Sequence, residues 1–152
     1  MTSAGDRRII DIDSHLFELD DFLHAVATPE EAALIRPMDE QTELPVSLEA
    51  IEKGRHHLDR RNADAEVMTK FEDGMFDITR SPWSRLGAFD PGDRSHALDV
   101  LGFERQLVLG TFSFHQIAHT DDPNALEVGA RVHNRAMGRF CADDDRLLAG
   151  GY

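Results

Sequence analysis

The apolar and polar positions of the chain fall into short runs of two periods. Ile9-Ile10-Asp11-Ile12-Asp13-Ser14-His15 alternates, and in an extended strand this places residues 9, 11, 13 and 15 on one face with Ile10 and Ile12 on the other. Gln106-Leu107-Val108-Leu109-Gly110 is a compact apolar run without strict alternation, which predicts a strand buried on both sides, as in a parallel sheet flanked by helices. Arg146-Leu147-Leu148-Ala149-Gly150 predicts a third buried strand.

Helices are marked by caps as much as by periodicity. Asp20 or Asp21 can open a short turn to Ala25 that buries Phe22 and Leu23. Thr28-Pro29-Glu30-Glu31 has the form of a capping box with proline at the first helical position, and Pro37 limits that helix to Arg36. Residues 38–45 read as loop. From Ser47 towards Lys70 the apolar stripe is thin and broken by Gly54, which predicts an exposed, partly helical insertion; His56 and His57 are adjacent and so do not share a helix face. Phe71 to Pro91 is aromatic and punctuated by Gly and Pro, the composition of a loop folded over a cleft, with Trp83 as a candidate substrate-facing ring. Asp90-Pro91-Gly92-Asp93 signals a turn into a helix over Arg94–Leu101, ended by Gly102. Thr111 to His119 reads as a loop. Asp121 or Asp122 then caps a long amphipathic helix to Cys141, the single cysteine, which reads as a buried helix-end residue.

The resulting order is strand, long excursion over residues 16–90, helix, strand, helix, strand, in one domain spanning residues 1–152. Strands alternating with helices argue for βαβ units in a parallel α/β sheet. The last strand has no following helix to cover it. An apolar edge left in this way predicts either an incomplete barrel or pairing with another chain, a homo-oligomer included.

Composition narrows the possible functions. The chain has 152 residues, 41% of them hydrophobic, which is enough for one cored domain but short of the roughly 250 residues of a closed eight-stranded barrel. Its 29 acidic against 16 basic residues give a formal charge of -13, which opposes nucleic-acid binding and draws in cations. One cysteine leaves no intrachain disulfide and no cysteine cluster for a metal. No apolar run is long enough for a membrane span and no secretion signal precedes Ile9, so a cytoplasmic location is expected.

The candidate chemistry lies at the exit of the first strand. Asp13 and His15, two residues apart at about 3.3 Å rise per residue, can lean together onto one divalent cation. They supply two of the three or four protein ligands that a zinc site usually needs.

Three stretches carry a further signal, in this order: Ile10-Asp11-Ile12-Asp13-Ser14-His15 with Glu18; Arg94 with Ala97 through Leu109; and Asn134 through Phe140-Cys141-Ala142-Asp143-Asp144-Asp145-Arg146-Leu147. Together they resemble the amidohydrolase-related family of metal-dependent (β/α)8 TIM-barrel proteins, in the branch that includes aminocarboxymuconate-semialdehyde decarboxylase and its hydrolase and aromatic-acid decarboxylase relatives. The resemblance implies a partial barrel of about three parallel strands with flanking helices, and a metal, most simply Zn2+, held by Asp13 and His15. It implies that Asp11 lies beneath them in the barrel; for the matching Glu18 and Arg94 the plain structural expectations are a loop-organising hydrogen bond and pairing with a neighbouring acid. Thr111, Phe112, His115 and His119 would border the substrate cleft with Trp83. The family's late-strand ligands and its proton-handling aspartate have no counterpart here, so no complete catalytic set is present. The implied activity is hydrolysis or non-oxidative decarboxylation of a small carboxylate or amide-type substrate. The competing expectation is a non-catalytic α/β protein that self-associates or binds a partner through its sheet edge.

Overall fold

The computed structural model of the chain describes residues 2–19, 22–37, 64–77, 85–118 and 120–152, together with Glu49, residues 52–54, His56, residues 59–60 and Thr79. Its centre is a three-stranded parallel sheet: β1 (Ile10–Leu16), β2 (Arg105–Gly110) and β3 (Leu147–Ala149), in that spatial order. Ahead of β2 come α1 (Pro29–Ala32), α2 (Ala65–Asp73), a 3-10 turn (Gly74–Phe76) and α3 (Pro91–Leu101); α4 (Ser113–Ala118) and α5 (Pro123–Phe140) connect β2 to β3.

The caps act as their chemistry requires. The Thr28 side chain accepts from the Glu31 amide while the Glu31 carboxylate accepts from Thr28 N, closing the capping box of α1. Asp90 accepts from Asp93 N at 2.9 Å and starts α3 at Pro91, three residues earlier than the apolar pattern indicates. Asp122 caps α5 through Asn124 N, with Pro123 at the first helical position. Gly102 ends α3 in the left-handed region at φ 74°, where a Cβ would be strained and would also meet Thr2.

Both crossovers deliver their helices to one face of the sheet. Leu16, Val108 and Leu147 point to that side and pack with Leu98 of α3 and with Met137, Phe140 and Cys141 at the end of α5. Cys141 is buried at the C-cap of α5. A second apolar cluster forms on another flank of α5, where Val128, Val132 and Ala136 meet Ile117 of α4, Leu23 and Ile35; Phe22 packs against both clusters.

The opposite face stays open among the described residues. Ile10 is 55% exposed and Ile12 71%, although their alternation reads as an apolar buried face, and Leu107 and Leu109 are only half-buried. The cause is topological: among the described residues the helices that pack on the sheet, α3 and α5, lie on one side and protect only the side chains that point there. Two further expectations are corrected. Residues 113–118, read as loop, form α4, and Phe71 lies within α2 rather than in a loop.

Candidate functional site

The carboxyl ends of β1 and β2 lie side by side, and β1 carries an irregularity there. Asp11 pairs with Gln106 and Ser14 with Val108, so Ile12 and Asp13 together oppose a single residue of β2. The Asp11 side chain supports this bulge: its Oδ1 accepts from Asp13 N at 3.1 Å and its Oδ2 from Gln106 Nε2 at 3.0 Å. The bulge changes the faces expected from simple alternation. Asp11 shares the helix-side register of Gln106, whereas His15 pairs with Leu109 on the open side. Asp11 therefore holds the backbone that presents Asp13 and does not sit beneath the pair.

Asp13 and His15 do come together. Asp13 Oδ1 lies 3.5 Å from His15 Nε2, and both side chains are open to solvent. That separation is long for a hydrogen bond, but two donors each about 2.0–2.1 Å from one tetrahedral ion sit about 3.4 Å apart. The carboxylate and imidazole thus fit two corners of a zinc-type shell. Among the described residues no group of three or more His, Cys, Asp or Glu gathers at such a point.

Two anchors hold His15. On its backbone, Arg94 Nη2 donates to the His15 carbonyl at 2.8 Å. On its ring, Nδ1 lies 3.0 Å from Thr111 Oγ1 at the end of β2. Contrary to the expectation of an acidic partner, Arg94 bonds no carboxylate among the described residues. Its Nη1 donates to Ser14 Oγ and to Gln106 Oε1 at 3.2 Å, and its guanidinium lies 6.0 Å from the centre of the Phe140 ring. At 5% exposure, burial pulls this guanidinium down to about 10, opposed by the nearby Cys141 sulfur and Asp11 carboxylate. Arg94 is a fixed cation that ties α3 to the end of β1.

Glu18 is wholly buried and collects the start of α4. Its carboxylate accepts from Thr111 N at 3.0 and 3.1 Å, Phe112 N at 2.8 Å and Ser113 N at 3.1 Å, and from the Ser113 hydroxyl. A carboxylate on the free amides at a helix start satisfies donors that the helix itself cannot. Gly110 makes room for it, since a Cβ there would lie 2.7 Å from Glu18 Oε1 and 2.8 Å from Ser113 Oγ. Ser113 Oγ also lies 3.0 Å from Nδ1 of the buried His133, whose ring meets Tyr152 edge-on at 5.2 Å. Burial pulls the His133 imidazole below its ordinary range, against the opposing effects of Glu18 and the Gly150 backbone. Sequence reading missed Ser113 and His133. The available signal was a histidine on the buried stripe of α5 beside Val128, Val132 and Ala136.

A groove of about 540 Å³ runs along the outer edge of β1, with Asp13, His15, Phe17, Arg85 and Arg94 among its walls. The Phe112 ring lies 5.6 Å from that of Phe17, tilted by 47°, and Phe17 in turn lies 6.0 Å from Phe89. His115 lies on α4 with its ring edge-on to Phe114 at 5.8 Å. Trp83 and His119 lie outside the described residues.

The chain is thus a small α/β domain with a three-stranded parallel sheet flanked by helices, whose strand ends carry an exposed carboxylate–imidazole pair. No helix among the described residues is long and apolar enough to cross a membrane. Comparison with protein-family models, with curated proteins and with solved structures finds no match.

Proposed function

We propose that this chain carries the first-strand portion of a metal-dependent site of the amidohydrolase type on a partial (β/α)8 barrel, serving hydrolysis or non-oxidative decarboxylation of a small carboxylate or amide-type substrate. The observation that carries this reading is the 3.5 Å separation of Asp13 Oδ1 and His15 Nε2 at the carboxyl end of a parallel strand. When bound, a zinc ion supplies Lewis acidity, polarising a carbonyl or carboxylate and acidifying water. The chain's own residues provide the binding and orientation. Asp13 and His15 would hold the ion, Asp11 braces the bulge that presents Asp13, and Arg94 pins the His15 carbonyl. Arg85 and Arg94 balance the charges of Asp11 and Asp13 in the walls of the adjacent groove, and Phe17 gives it an apolar wall. The remaining coordination positions are left to solvent or to ligands outside the described residues.

Zinc titration of the full chain against a chromophoric chelator tests this reading. Two protein ligands should take up one equivalent with a Kd on the order of 10 µM or weaker, since a four-ligand structural site binds with roughly 10–16 kcal/mol. Asp13→Ala and His15→Ala should each abolish uptake; unchanged zinc binding in either variant rejects the assignment. A tightly held zinc in the isolated chain would instead mean that the shell is complete.

The open sheet face favours a second reading, an interaction protein that pairs with its own copy or with a partner. Ile10, Ile12 and Leu148 are exposed on that face. Sedimentation velocity over a concentration series decides it: a dimer weakened by Ile12→Lys supports this reading, and a monomer at all concentrations removes self-pairing.

A further inference from the structure

We infer that Thr111 determines which nitrogen of His15 meets the cation, by holding the hydrogen on Nδ1 and leaving the Nε2 lone pair to the ion. This rests on the reading of Asp13 and His15 as a metal-binding pair. An imidazole binds a cation through the lone pair of one nitrogen while the other nitrogen keeps its hydrogen and needs an acceptor. The two nitrogens of His15 have different neighbours. Nε2 faces Asp13 Oδ1 at 3.5 Å, which places the second donor, and so the ion, on that side. Nδ1 faces Thr111 Oγ1 at 3.0 Å, and a hydroxyl oxygen can accept its hydrogen. The opposite arrangement, with the threonine hydroxyl donating to Nδ1, would put the hydrogen on Nε2 and block coordination.

Thr111 can set the ring because it is itself held. Its amide donates to both oxygens of Glu18, and the next two amides donate to the same carboxylate at 2.8 and 3.1 Å. The Glu18 carboxylate has no exposed surface and accepts the Ser113 hydroxyl as well, so the Thr111 backbone is fixed from beneath. Arg94 fixes the other side of His15 through its carbonyl. The ring is therefore positioned between β1 and β2, and Thr111 is a positioning residue that reaches the ion only through His15.

The test combines zinc affinity with 15N-detected NMR of the histidine side chains in the zinc-loaded full chain. Thr111→Val, which keeps the shape and loses the acceptor, should weaken zinc binding about 10- to 100-fold, and Thr111→Ser should stay within roughly threefold of the wild type. In the wild type, His15 should carry its hydrogen on Nδ1 and its zinc on Nε2. Wild-type affinity in folded Thr111→Val, or zinc on Nδ1, overturns the inference while leaving the metal-binding pair intact. No zinc uptake by the wild type overturns both. If Thr111→Val does not fold, Thr111→Ala, which also removes the acceptor, provides the same comparison: weakened zinc binding supports the inference and wild-type affinity overturns it.

Discussion

Glu18 holds the backbone of Thr111 from 93 residues away, both of its carboxylate oxygens accepting the same amide hydrogen at 3.0 and 3.1 Å. This contact ties the loop after β1 to the loop after β2, so the two strand ends that carry His15 and Thr111 are set relative to each other by one buried carboxylate. Glu18→Ala would leave the Thr111, Phe112 and Ser113 amides and the Ser113 hydroxyl without that acceptor. We expect a loss of about 2–4 kcal/mol in denaturant unfolding, with hydrogen exchange rising first at residues 111–113.

Gly110 is a second test of the same junction. A methyl group there would approach Glu18 Oε1 at 2.7 Å, Ser113 Oγ at 2.8 Å and His133 Cε1 at 3.0 Å. Gly110→Ala should therefore destabilise the fold by about 1–3 kcal/mol, the usual range for overpacking, and Gly138→Ala, with nothing within 4 Å, should cause no loss of stability. Thermal unfolding of the two variants side by side measures the contrast.

The one-sided placement of the helices predicts unequal roles for apolar residues that look alike in sequence. Leu98 is 1% exposed and packs with Val108 and Met137, so Leu98→Ala should cost about 2–5 kcal/mol. Ile12, on the open face, should tolerate Thr with a change of about 0.5 kcal/mol or less in monomeric protein. Urea unfolding curves at low protein concentration check both values.

Proton linkage gives a further prediction at the α1–α5 contact. Arg135 donates to the two Glu31 oxygens at 2.8 and 3.1 Å. This pairing, helped by the Thr28 amide and opposed by desolvation, lowers the Glu31 carboxyl from its ordinary value to about 2. A lowered carboxyl stabilises the fold fully above the unfolded-state value near 4.5, and that stability is lost as pH falls towards 2. At a formal charge of -13 the other acids also relieve repulsion when they protonate, so the useful quantity is a difference between two proteins. The stability gap between wild type and Arg135→Met should be constant from pH 7 to 5 and shrink between pH 4.5 and 2. A gap that does not change with pH would mean that the ion pair contributes nothing.

Local chemistry was legible in the sequence and long-range chemistry was not. Thr28, Asp90 and Asp122 announced helix starts because a cap acts on amides two or three residues away, and Gly102 announced a stop because its φ is positive. The start of α4 carried no such signal, since much of its capping comes from Glu18 on the far side of the sequence. The spacing of Asp13 and His15 correctly suggested that they approach each other, but the bulge between Asp11 and Ser14 could not be read from alternation and moves Asp11 to the other side. Arg94 was expected to pair with a neighbouring acid; its partners are the neutral oxygens of Ser14, Gln106 and the His15 backbone, which converge only once β1, β2 and α3 have packed.

The most direct measurement is anomalous diffraction at the zinc edge from crystals of the full chain soaked in zinc. The expected result is a peak about 2.0–2.2 Å from both Asp13 Oδ1 and His15 Nε2, with Thr111 Oγ1 still in contact with Nδ1. Zinc bound elsewhere, or no peak between these two side chains at saturating metal, would contradict it.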